Sequence, residues 1–180
     1  MYEDTLAHEA ETIHQDIMDR LDNSQTSVEL CCDWLNRKGF KSRILPFTKA
    51  EKYKDRWKHV DDGDIISIIG GVECRVEVKG VGVEFTSVAT FPYSTVFVDE
   101  EFKVNREHSN PLFGYMSVNK QHTGFIAIPG STKEHWKTVE KWDSKMKENR
   151  SFVECPKPYV KYYEFAVKQS VPDLEFGGLF

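Results

Sequence analysis

Apolar residues recur along this chain at two periods, and the switch between them marks out the elements. Leu6, Ala10, Ile13, Ile17 and Leu21 fall on one face of a helical net, predicting an amphipathic helix over about 2–22. Val28, Cys31, Cys32 and Leu35 form a second helical stripe; Thr26 or Ser27 is placed to cap its first amides, and Gly39 suits the C′ position. From Phe40 the period shortens to two, giving a strand over 40–45 that stops at Pro46. β-Branched runs at 65–69 and 72–78 flank Gly70-Gly71, a two-residue hairpin turn. Further on, 95–98 reads as a buried central strand, 112–118 and 124–128 as a second hairpin, and 159–165 as a last strand. Ser131, Thr132, Lys133 and Glu134 offer a capping box for a helix running to about Lys147, with Trp136, Val139 and Trp142 as its core face. Residues 170–180 read as a tail, with Phe176 or Phe180 to dock it. The expected fold is a single α/β domain over 1–180, with a central mixed sheet flanked by helices.

The first hairpin has a register that follows from its turn. With Gly70 and Gly71 as the loop, Ile69 faces Val72, and counting outward brings Asp64 opposite Glu77. One face then carries Asp64, Ile66, Ile68, Glu73, Arg75, Glu77 and Lys79 and is expected to be wet. The other carries Ile65, Ser67, Ile69, Val72, Cys74, Val76 and Val78 and is expected to be core. Opposed side chains have Cβ atoms about 4.5–5.5 Å apart, and two carboxylates at that distance repel unless a cation lies between them. Asp64 and Glu77 are therefore candidate ligands of one divalent metal, and Lys79 shares their face. The plainer alternative is a solvated face of charged ladder pairs.

Asp64 opening one strand and Glu77-Val78-Lys79 on the next, after a helix and a strand, resemble the signature of the PD-(D/E)XK nuclease superfamily. The segment in which a helix ends in Gly39-Phe40 and a strand follows is similar to that of archaeal Holliday-junction resolvases and Mrr-type restriction nucleases. The resemblance implies a restriction-endonuclease-like core, with Mg (or Mn) held by Asp64, Glu77 and the Val78 carbonyl, oxygen ligands that suit a hard cation. It implies a metal-bound water as nucleophile, with Lys79 to orient or deprotonate it and to stabilise the transition state. Glu29 is the candidate for the first-helix glutamate that joins the metal site in those families; the same position also suits a helix-dipole partner. The chain departs from the pattern after Lys79, where residues 80–87 read as a loop instead of a helix. Phe91-Pro92-Tyr93 is either a base-stacking platform or core packing.

A length of 180 residues, 39% hydrophobic and 13% aromatic, suits one domain with a sizeable core. The net charge of −5 argues against a nucleic-acid enzyme only until it is located, because residues 1–23 alone carry −6 and 41–58 carry +5. Lys52, Lys54, Arg56 and Lys58 of that basic run, with Arg75 on the hairpin, are candidate nucleic-acid contacts; a solvated linker is the bland reading. Cys31, Cys32, Cys74 and Cys155 lack C-x-x-C spacing and read as reduced packing residues. His8 and His14, six apart on either side of Glu11, do not share a helical face, and the three read as surface residues. No apolar run reaches transmembrane length and the N-terminus lacks a signal-peptide layout, so the expected location is the cytoplasm, the host's for a phage-type protein.

The leading functional expectation is a Mg-dependent DNA endonuclease of phage or repair type for branched or damaged DNA, able to form a homodimer through the N-terminal helix. The runner-up is a non-catalytic interaction protein on the nuclease scaffold, whose acidic helix binds a partner or mimics DNA. A third reading is a sheet-based binding module with no specific cation.

Overall fold

A computed structural model describes residues 23–46, 63–144 and 146–166. The expected helix at 2–22, the basic residues 52–58 and the tail at 170–180 lie outside the described residues.

Among the described residues the first helix, α1, covers 23–37, and Gly39 lets it end as expected. At φ +93°, Gly39 donates to the Asn36 carbonyl and Phe40 to that of Leu35, each at 3.0 Å, the paired bonds of a Schellman motif. Its start differs from expectation. Ser27 lies buried within the helix and its hydroxyl donates to the Asn23 carbonyl at 3.0 Å, so neither Thr26 nor Ser27 is the cap. The stripe Val28, Cys31, Cys32 and Leu35 is buried, joined by Trp34, which meets Phe125 edge-on at 4.9 Å.

Strands β1 (Lys41–Ile44), β2 (Ile65–Ile69), β3 (Val72–Gly80), β5 (Leu112–Val118), β6 (Gly124–Pro129) and β9 (Lys161–Glu164) form one sheet in the order β1-β2-β3-β5-β6-β9. Neighbours are antiparallel except β3 and β5, which run parallel. Gly70 and Gly71 both have positive φ, 57° and 82°, the requirement of a type I′ turn, and the ladder pairs Ile69 with Val72 and Ile65 with Val76 as expected.

A second, antiparallel sheet holds β4 (Thr95–Glu100), β8 (Glu148–Pro156) and β7 (Lys137–Asp143) in the order β4-β8-β7. It corrects three expectations. Residues 95–98 are not a central strand of the main sheet but part of this layer. The helix expected from Ser131 to Lys147 is a 3₁₀ turn, Gly130–His135, followed by β7. Ser131 does not cap it: the turn has Pro129 at its N-cap and no side-chain cap bond, while the Thr132 hydroxyl donates to the Pro129 carbonyl at 2.7 Å and accepts from the Trp136 indole at 2.9 Å. Trp142, placed on a helical core face, is 63% exposed on the strand. The third correction is β8 itself, which sequence periodicity did not separate from its neighbours.

The architecture is thus α/β with a mixed central sheet in the middle layer. One face buries Ile65, Val76, Val78, Met116, Val118, Phe125 and Ala127 with α1. The opposite face, through Tyr115, Ile126 and Ile128, packs on Val96, Val98, Val153 and Cys155 of the second sheet. The parallel crossover from β3 to β5 passes through β4 and the short helix α2 (Glu101–Asn105), so a strand layer occupies the side where a flanking helix was expected. All four cysteines are free thiols. No helix among the described residues is long and apolar enough to cross a membrane.

Candidate active site

Asp64 stands where β2 and β3 part. Its amide donates to the Val76 carbonyl at 3.1 Å, and its carboxylate Oδ2 accepts the Val78 amide at 2.7 Å, so the side chain continues the ladder after the backbone has left it. Gly63 makes this bend: its φ is +95°, and a Cβ there would lie 3.0 Å from that of Arg75.

The hairpin face expected to be wet is covered at its inner end only; near the turn Ile68 and Glu73 are exposed, and so is Val72, expected in the core but 54% exposed because nothing among the described residues packs on the hairpin tip. Ile66 and Arg75 are 2% and 4% exposed. Arg75 donates to Glu77 Oε1 at 2.7 Å. Burial, then the charges of Asp99 and Glu77, push the Tyr115 phenol well above its usual range, so it stays neutral at any ordinary pH. Lys79 meets Asp99 from β4, Nζ to Oδ2 at 2.8 Å. Burial pulls the Lys79 ammonium down, but Asp99, then Glu77 and Asp64, outweigh it and hold the group above the usual lysine range.

Glu77, Lys79, Asp99 and Tyr115, with Asp64, line a cleft of about 1170 Å³ between the sheets and the crossover. Its inner wall carries Asp64, Glu77, Lys79, Asp99 and Tyr115; Lys103, Arg106, Lys120 and Arg150 supply cations around them. Arg150 bridges Glu100 of β4 at 2.6 Å and Asp143 of β7 at 2.9 Å, fixing the β7–β8 hairpin beside the opening.

The hairpin expectation therefore brings Asp64, Glu77, Val78 and Lys79 to one cleft. It does not bring Glu29, which is exposed on α1, accepts from the Gln25 amide at 3.1 Å and is absent from the cleft lining. Arg75 is corrected as well: buried against Glu77, it orients that acid from within rather than facing a phosphate. Lys52, Lys54, Arg56 and Lys58 lie outside the described residues. Phe91 is core, 5% exposed and edge-on to Phe85 at 5.3 Å. His135 stacks on Tyr159 at 4.0 Å. Sequence reading missed Asp99, Tyr115, Arg106 and Lys120; the acidic run Asp99-Glu100-Glu101 after a buried strand was the one signal available for the first.

The donors here are oxygens, Asp64, Glu77 and the Val78 carbonyl, and no group of three or more His, Cys, Asp or Glu side chains among the described residues forms a cation cage. Such a set fits Mg, which takes one or two carboxylates and keeps its waters, better than it fits zinc. No family model, curated protein or solved structure matches the chain.

Proposed function

We propose that this cleft is the active site of a Mg-dependent endonuclease that hydrolyses DNA phosphodiester bonds, on a PD-(D/E)XK-like core. The observation that carries the reading is the convergence of Asp64, Glu77 and Lys79 in one cleft with cations around it. The element order supports it further: α1, β1, the acid-bearing hairpin, then a parallel strand reached by a crossover.

Asp64, Glu77 and the Val78 carbonyl would hold the metal, which when bound would supply Lewis acidity and a water of lowered pKa. Asp64 is kept in place by the Val78 amide and Glu77 by the Arg75 guanidinium. Lys79, an ammonium at neutral pH, orients the attacking water by hydrogen bonding and offsets the charge that builds on the phosphoryl oxygens. Lys103, Arg106 and Lys120 hold the neighbouring phosphates of the strand. Branched or damaged DNA is the substrate class taken over from the resemblance to junction-resolving nucleases.

The test is cleavage of supercoiled plasmid and of a four-way junction by wild-type, D64N and K79A protein with Mg, Mn or EDTA. The expected result is metal-dependent cutting by the wild type that both substitutions abolish. No cutting by the wild type on either DNA overturns the reading.

A second reading has its own observation. Glu77 and Lys79 are each satisfied by an internal partner, Arg75 and Asp99, as they would be in a non-catalytic interaction protein on the same scaffold. That reading requires the substitutions to leave function intact.

A further inference from the structure

We propose that Asp99 is a positioning residue of this site, aimed by a β-bulge in β4 so that it holds the Lys79 side chain beside the Asp64 and Glu77 pair. The proposal rests on the nuclease reading above and adds to it a residue from the second sheet.

Strand alternation alone would point Asp99 the other way. Val96 is buried, Phe97 is 38% exposed and Val98 is buried, so the next residue should emerge beside Phe97. The ladder with β8 breaks instead: Phe97 opposes Glu154 and Asp99 opposes Val153, with a register shift between them. Val98 is the extra residue, and past it the side chains have changed face, leaving Val98 and Asp99 consecutive and both buried. A bulge gives up regular ladder pairing and re-aims a side chain, and bulges concentrate near active sites for that reason.

Both oxygens of Asp99 are committed. Oδ2 meets Lys79 Nζ at 2.8 Å, and Oδ1 accepts the Glu100 amide at 2.9 Å, which fixes the carboxylate plane. The pair joins two sheets, at a cost in desolvation that an apolar residue continuing the Val96 and Val98 surface would not incur. A lysine tip on a four-carbon stem visits many rotamers unless its end is held, and reaction rates are steep in the placement of such groups. An acid at this point confines the ammonium to the cleft wall that Asp64 and Glu77 share.

The test uses the full chain as wild type, D99N and D99E. Four quantities are read: kcat and KM on plasmid with Mg, Mn affinity of the protein without DNA, and the ¹⁵N resonance of the Lys79 side-chain ammonium, assigned with K79R. D99N should lower kcat roughly 10- to 100-fold while KM and Mn affinity stay within about twofold, and the ammonium resonance seen in the wild type should be lost. D99E keeps the charge and should recover part of the rate; should D99N fail to fold, D99E is read against the wild type, with kcat reduced and KM held. Unchanged kcat in D99N overturns the proposal, as does Mn affinity falling in step with kcat, which would make Asp99 a ligand. A wild type that cuts no DNA overturns the nuclease reading itself and is told apart by needing no variant.

Discussion

The carboxylate of Asp64 accepts the backbone amide of Val78 at 2.7 Å, so a single side chain both closes the ladder between β2 and β3 and presents charge to the cleft. The two roles separate by substitution. In D64N the amide oxygen still accepts from Val78, so stability should stay near wild type while DNA cutting falls by roughly 100-fold or more. D64A removes both and leaves the Val78 amide unpaired, at a further cost of about 1–3 kcal/mol. Urea unfolding beside a plasmid assay reads the difference.

Arg75 and Glu77 form a largely buried ion pair, 5% and 13% exposed at the side chains. Removing one partner strands the other, so R75M should destabilise the fold by about 3–5 kcal/mol. The double variant R75M/E77Q should recover much of that. A double-mutant cycle by denaturant unfolding measures the coupling.

Glu154 ties the second sheet together on its outer side, accepting from Thr95 of β4 at 2.7 Å and pairing with Lys141 of β7. Burial raises its carboxyl, but the bonds from Lys141 and Thr95 outweigh that and hold it below the usual glutamate range. A depressed folded-state value means the stabilisation is present above the unfolded glutamate pKa and is lost as pH falls through the folded one. The melting temperature of E154Q should therefore match wild type most closely at the acid end and fall short of it near neutral pH, as scanning calorimetry from pH 7 to 3 would record.

Gly124 has no room for a methyl group: a Cβ would meet the Tyr162 hydroxyl and lie 2.6 Å from the Tyr163 carbonyl. G124A should destabilise by about 1–3 kcal/mol through overpacking between β6 and β9. At Gly39 nothing lies within 4 Å but φ is +93°, so G39A should cost about 1 kcal/mol from backbone strain alone. Thermal melts of the two variants distinguish steric from conformational causes.

If the cations around the cleft hold phosphates, each contributes to the salt dependence of DNA binding. K103A and K120A should each flatten the slope of log K against log salt by about one without changing sequence preference. Fluorescence anisotropy with a labelled duplex across a salt series gives the slopes.

The hairpin was legible in the sequence because its register depends on local quantities: a two-residue Gly70-Gly71 loop and the parity of the strands on either side. Which of its faces would be covered was not local. Arg75, Glu77 and Lys79 look like a solvated row until Tyr115 and Asp99 arrive from distant segments. The Ser131–Glu134 box misled because the Thr132 hydroxyl is engaged locally, donating to the Pro129 carbonyl and accepting from the Trp136 indole, and the chain beyond reads Lys-Thr-Val-Glu-Lys-Trp, whose pairing with β8 outweighs helical preference. Asp99 escaped notice for a related reason: alternation predicts its face correctly only if the strand has no bulge.

The β5–β6 hairpin contains no charged residue between Leu112 and Val118 or between Gly124 and Pro129, and it is almost wholly buried at the centre of the sheet. The outermost strands β1 and β9 are short and begin with lysine, a guard against edge-to-edge association. Protection therefore resides at the rim and hazard in the middle. A variant that loosens the centre exposes two uncharged, β-prone stretches at once, so its failure should register as insoluble material during expression before any soluble unfolded chain accumulates.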